Sequence, residues 1–177
     1  MIKEAITMIN QMQADGVIGR YAIGGAIGAT FYLEPVSTVD LDIFVALSPP
    51  PGQFIISLQP IYEYLKNQGA VPEGEYILVS GWPVQFLVPN SPLVDEALTD
   101  ALETNLDGEP VWVFQAEHLA AIALQTGRPK DKARLLQFIE EGVVSIEQFE
   151  KIVEKYKLET QWARFKDQFL GDDSHAG

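Results

Sequence analysis

The chain has 177 residues, no cysteine, and a formal net charge of −13. That length fits one domain, or one domain with a helical extension. The missing thiols exclude disulfides and thiolate zinc sites, and no apolar run is long enough to read as a membrane span, so a soluble protein is expected.

Ile2, Ala5, Ile6, Ile9 and Met12 recur at helical spacing and predict a helix over 2–14, ended by Gly16. This stretch lacks the uninterrupted apolar core of a signal peptide, and a cytoplasmic location is the expectation. Tyr21 to Ile23 reads as a first strand. Gly25 to Phe31 reads as a short helix of small residues able to lie close to a sheet. A loop holding Pro35 spans Leu33 to Ser37. Val39 to Leu47 is a nearly continuous apolar run, the pattern of a strand covered on both faces. Ser48 to Gly52, with three prolines, is a stiff loop. Leu58 to Asn67 is a helix. Tyr76 to Ser80 and Val84 to Val88 form a hairpin across Gly81-Trp82-Pro83. Leu93 to Leu102 is an acid-rich helix, and Val111 to Phe114 a last short strand.

From Gln115 the pattern is all helical. Gly127 closes a helix over Ala116 to Thr126, and Gly142 stops another over Lys130 to Glu141. Ser145 and Gln148 have the form of a capping box opening a helix to about Lys157. A final helix spans about Thr160 to Phe169, and residues 171–177 read as a disordered tail. The predicted layout is a sheet domain over 1–114 and a helical region over 115–170.

The charge is uneven. Residues 1–127 carry three basic side chains, Lys3, Arg20 and Lys66, against fifteen acidic ones; residues 128–177 carry nine against ten. An acidic front is a poor surface for long nucleic acid, whose binding rests on phosphate neutralisation. Excess acid can mark a metal site, but solubility is the simpler reason and carries more weight.

Two short motifs stand in fixed order. The first strand runs into Gly24-Gly25, and fifteen residues after Gly25 come Asp40 and Asp42. Residues i and i+2 of a strand share a face, so the two carboxylates project together, Cα atoms about 6.5–7 Å apart. They repel unless something positive lies between them, and a hard divalent cation is the natural candidate. Backbone N–H groups at the glycine pair suit an anion. The plain alternatives are a tight turn and a solvated acidic pair, and short motifs carry a high false-positive risk. Order and spacing together favour a site.

The combination resembles the nucleotidyltransferase superfamily, whose fold is shared with DNA polymerase beta. Its signature is a hydrophobic strand, Gly-Gly or Gly-Ser, a helix, then Thr-x-Asp-x-Asp opening the next strand. Here these positions read Ile23-Gly24-Gly25-Ala26 and Thr38-Val39-Asp40-Leu41-Asp42. The chain is most similar to small stand-alone bacterial members, including AbiEii-type toxins. Leu119 to Asp131, with Gly127-Arg128-Pro129-Lys130-Asp131, resembles a segment after the sheet in such relatives.

The resemblance implies an α+β fold: a mixed sheet flanked by helices, then a C-terminal helical bundle. It implies that Asp40 and Asp42 are the catalytic pair and hold magnesium or manganese. It implies a nucleoside triphosphate held by Gly24, Gly25, Thr38, Arg128 and Lys130. The plain role of Thr38 is a turn hydrogen bond, and that of Arg128 and Lys130 a solvated helix start. Two usual polar positions differ. The later strand that supplies a third carboxylate offers Gln85, a neutral amide that cannot act as a base, and spacing selects neither Glu73 nor Glu75 instead. A lysine common in relatives falls at Ala123.

Three readings follow. The first is a metal-dependent transferase moving a nucleotidyl group from a nucleoside triphosphate to an alcohol, phosphate or protein side chain. The second is a degenerate member acting as a binding or toxin–antitoxin-like component with a protein partner. The third is a homo-oligomer joined through Trp82 and Trp112, which are more often core. A monomer or homodimer is expected. His118, at a helix start, is left out of the site.

Overall fold

The structure, a computed structural model, describes residues 2–34, 40–49 and 51–171. The expected loop and turn residues at 35–39, Thr38 among them, lie outside the described residues, as do Pro50 and the tail at 172–177. Helix α1 (Ile2–Ala14) buries Ala5, Ile6, Ile9 and Met12 on one stripe. Then come β1 (Tyr21–Ile23), the short α2 (Gly25–Ala29), β2 (Leu41–Val45) and α3 (Gln59–Asn67). Three strands follow, β3 (Val71–Glu73), β4 (Tyr76–Val79) and β5 (Trp82–Leu87), then α4 (Pro92–Thr99), β6 (Leu102–Leu106) and β7 (Glu109–Val113). The helical part is α5 (Ala116–Thr126), α6 (Pro129–Glu140), α7 (Ile146–Lys155) and α8 (Glu159–Phe165), the last continued by a π-type turn, Lys166–Leu170.

The seven strands form one sheet in the order β3-β4-β5-β2-β1-β7-β6. β1 runs antiparallel to β2 and parallel to β7, and β2 runs parallel to β5, so the sheet is mixed. The architecture is the expected α+β one, with helices flanking the sheet and a C-terminal helical group after it.

Burial alternates along β2: Leu41, Ile43 and Val45 are buried, while Asp42 and Phe44 are half-buried. Leu41, Ile43 and Val45 belong to an apolar cluster with α1 and α3. Phe44 faces the other way, against Phe114, ring centroids 4.9 Å apart. There Ala22 and Phe114 join the apolar faces of α4 to α8. Both faces of β2 are covered, as expected, but the second face changes from apolar at Phe44 to polar at Asp42.

Two strands were not expected from sequence, β3 and β6. The helix expected to reach Leu102 stops at Thr99, and Leu102 to Leu106 pair with β7 across Asp107-Gly108. Both turn residues have positive φ, 51° and 90°, which is what a two-residue hairpin turn matching the sheet twist needs. The hairpin between β4 and β5 also turns one step earlier than expected, at Ser80-Gly81 (φ 50° and 78°), so Trp82 and Pro83 lie in the strand.

Trp112 packs edge-on to Tyr21 with ring centroids 5.7 Å apart, and Trp82 packs against the cluster under α1 and α3.

Candidate functional site

Strand register assembles the first half of the site. β1 and β2 pair Ile23 with Ile43, and the ladder ends where the Gly24 N–H donates to the Asp42 carbonyl at 3.1 Å. On its other side Asp42 pairs with Gln85 of β5. The β4–β5 pairing of Ile77 with Val84, carried one residue further, sets Tyr76 beside Gln85. Gly24, Asp42, Gln85 and Tyr76 thus form one row across the sheet. Asp40, just before β2, accepts a hydrogen bond from the Tyr76 hydroxyl at 3.3 Å.

The glycine pair has a steric cause. A Cβ on Gly24 would stand 2.6 Å from the Phe44 ring. Gly25 has φ +59°, and a Cβ there would overlap the Asp42 carboxylate. Only glycine lets α2 start this close to β2. The Asp42 carboxylate therefore lies directly against that helix start.

Burial raises the Asp42 pKa, and the Asp40 charge raises it further; Arg134, Lys130 and Arg128 pull it back without cancelling the rise. The Asp40 charge in turn raises the Tyr76 phenol. Two carboxylates that repel at close range, one of them partly desolvated, fit a hard divalent cation with oxygen ligands. Gln85 beside them could add only a neutral oxygen.

The second half comes from α6. Gly127 ends α5 in the left-handed conformation, Arg128 caps α6 with extended backbone, and Pro129 begins the helix. Asp131, 2% exposed, accepts from the Arg128 backbone N–H at 3.2 Å, its Nε at 2.7 Å and its Nη2 at 3.2 Å. Those bonds raise the Arg128 pKa. Asp131 thereby ties the start of α6 and holds the guanidinium. Lys130 is exposed. Arg134, one turn on, is half-buried; burial lowers its pKa while Asp131 and Asp42 raise it.

Asp42, Arg128 and Lys130, far apart in sequence, thus share one electrostatic neighbourhood. Gly24, Gly25 and Gln85 border it; Glu73 and Glu75 are exposed around the β3–β4 turn. Ala123 is buried in the apolar cluster. Arg134 and Tyr76 are members the sequence reading missed. Arg134 follows Lys130 by four residues, a helical spacing that was open to reading.

A separate polar group links α4, α5 and α7. Glu96, Asp100 and His118 bring donor atoms within 4.8 Å of one another. Glu96 bonds His118 Nε2 at 2.9 Å and accepts from Lys155. Burial works to raise Glu96, but the hydrogen bonds from Lys155, His118 and Tyr156 outweigh it and its pKa is lowered. Lys155 already supplies the positive charge here, so the group reads as a pin between helices. His118 has the partner that the sequence did not reveal.

An antigenic nucleotidyltransferase-like protein from Paracoccidioides brasiliensis shares 14% identity with this chain at a TM-score of 0.62, over 94% of this chain and 87% of that one. The antibiotic-resistance factor ANT(2'')-Ia shares 13% identity at a TM-score of 0.50, over 97% of this chain and 100% of that one. The chain has a nucleotidyltransferase-like fold. No protein-family model and no curated protein matches the sequence. Among the described residues no helix is long and apolar enough to cross a membrane.

Proposed function

We propose that this chain is a metal-dependent nucleotidyltransferase that moves a nucleotidyl group from a nucleoside triphosphate to an acceptor. One observation carries the reading: Asp42, pressed against the helix start at Gly25 and repelled by Asp40, feels the basic side chains Arg128, Lys130 and Arg134 at the start of α6. Carboxylates for a metal and cations for phosphates in one neighbourhood are the two requirements of phosphoryl chemistry.

In this reading Asp40 and Asp42 hold magnesium or manganese, which neutralises phosphate charge and aligns the reacting groups. The backbone at Gly24 and Gly25, with Arg128 and Lys130, holds the triphosphate. For Thr38, outside the described residues, a role toward the phosphates rests on the sequence resemblance alone. Tyr76 orients Asp40 through its hydroxyl. The acceptor oxygen forms a bond to the α-phosphorus as the bond to the pyrophosphate breaks, in line, and a hydroxyl acceptor gives its proton to solvent, since Gln85 cannot take it. Residues 1–114 would carry the metal and 115–170 the phosphate cations. The kinship with AbiEii-type members, a protein partner and a cytoplasmic setting belong to the same proposal.

Calorimetric titration of ATP, GTP, CTP and UTP with magnesium, on wild type and Asp42→Ala, tests it. Binding by the wild type alone is the expected result. Equal affinity in both proteins overturns the assignment of the site, and no binding by either overturns the transferase reading.

A further inference from the structure

The pin between α4, α5 and α7 holds more negative charge than it answers. Glu96 accepts from Lys155 and bonds His118 Nε2. Asp100 caps the end of α4 four residues on, which sets it on the same side as Glu96. Its carboxylate forms no hydrogen bond or ion pair with a described residue. Arg20 reaches the neighbouring Thr99 carbonyl at 2.9 Å but makes no ion pair with Asp100. Yet one oxygen of Glu96, one of Asp100 and a ring nitrogen of His118 all lie within 4.8 Å of one another. Two carboxylates against the Lys155 ammonium leave one negative charge over.

His118 adds a second observation. It is 5% exposed, and its Nδ1 is buried without a partner. Burying a polar ring with one nitrogen unanswered costs free energy. An apolar side chain would fill the same space without that cost. What only the imidazole supplies is a nitrogen turned toward a carboxylate: Nε2 stands 2.9 Å from Glu96 Oε2.

An imidazole with two carboxylates suits zinc better than magnesium, which prefers oxygen ligands and a strict octahedron. Zinc bonds set tetrahedral ligand atoms roughly 3.4 Å apart. The group closes on the ion by a small movement, which the exposed Asp100 can make.

We propose that Glu96, Asp100 and His118 form a zinc site in which the ion takes the place of the Lys155 ammonium. The Lys155 side chain, 61% exposed, swings out to water with its charge. Zinc against two carboxylates leaves the group neutral. Glu96 is then tied through the ion to α5 and released from Lys155 of α7. The site shares no residue with the Asp40 and Asp42 pair, and the inference does not depend on the transferase reading.

The test is calorimetric titration with zinc chloride on the Asp42→Asn chain, in which the other carboxylate pair is broken. The same chain carrying Asp100→Asn, His118→Asn or Lys155→Met is titrated beside it, and thermal melts confirm folding. The expected result is one zinc ion bound by the Asp42→Asn chain, with a raised melting temperature. Asp100→Asn weakens binding about tenfold or more, and His118→Asn at least as much. Lys155→Met tightens it about two- to fivefold, because the ammonium that zinc must displace is gone. Should His118→Asn fail to fold, Asp100→Asn decides, since that exposed carboxylate bonds no described residue. No zinc binding, or binding left unchanged by the Asp100 and His118 variants, overturns the site. Affinity unchanged or weaker in Lys155→Met overturns the exchange with the ammonium.

Discussion

Gly25 and Asp42 occupy each other's space: a Cβ on Gly25 would overlap the Asp42 carboxylate and stand 3.1 Å from its Cγ. Gly25→Ala is therefore expected to cost about 1–2 kcal/mol from left-handed backbone alone and to push Asp42 aside. Chemical denaturation of Gly25→Ala, Asp42→Ala and the double variant checks this. The double variant should be less destabilised than the sum by at least about 0.5 kcal/mol. Additive losses would mean that the two residues do not compete.

Asp42 should cost the metal-free fold some stability. Its folded pKa is raised above the ordinary 3.8 by burial and by Asp40. The penalty is full above the folded value, shrinks as pH falls through it, and is gone below the unfolded one. Asp42→Asn is expected to melt higher than wild type at pH 7, with the gap closing on acidification. Magnesium should raise the melting temperature of the wild type and leave Asp42→Asn unmoved. A variant less stable than wild type at pH 7 contradicts this account.

Asp131 ties Arg128 through three hydrogen bonds while almost wholly buried. Asp131→Ala is expected to cost about 1.5–3 kcal/mol, the scale for hydrogen bonds to a charged group. It should also loosen the first turn of α6, visible as faster amide exchange at 131–134. Unchanged exchange there would show that Pro129 and packing hold the turn unaided.

The Glu96 pin predicts an acid-sensitive stability. Its folded pKa lies below the ordinary 4.5, so its contribution is present above about pH 4.5 and is lost as pH falls through the folded value. Glu96→Ala should cost about 1–2 kcal/mol at neutral pH, because His118 loses its partner in a buried setting. The difference from wild type should narrow below pH 4.5. Lys155→Met should cost less, at most about 1 kcal/mol, since its ammonium is mostly exposed. Equal losses from both would point to the ion pair rather than the histidine bond.

Much of the fold was legible because its signals are local. Gly127 ends α5 and Ser145 accepts from the Gln148 N–H, as their positions in sequence suggested. The two missed strands lie at the sheet edges, where the periodic signal is absent by construction. Val71 to Glu73 are all exposed, as are Leu102 to Asn105, so neither strand shows an apolar alternation. For β6 the sign was the turn instead, Asp107-Gly108. Within the candidate site, Asp40 and Asp42 could be picked out by their i, i+2 spacing before an apolar run, although the strand begins only at Leu41 and leaves Asp40 just outside it. Arg134 could not be tied to them, since no local signal links residues so far apart in sequence. Likewise Tyr76 reaches Asp40 through the order β4-β5-β2, which sequence does not state.

That order of parts has a consequence for how the protein comes into being. Asp40 and Asp42 leave the ribosome long before Arg128, Lys130 and Arg134 do, and synthesis proceeds at about 5–20 residues per second. For several seconds the nascent acidic pair has none of its three α6 countercharges. The strand before it cannot finish either, because Ile23 pairs with Val113 of β7. A ribosome-bound chain halted before α6 is thus expected to hold an unbalanced cluster of carboxylates that the finished protein never displays.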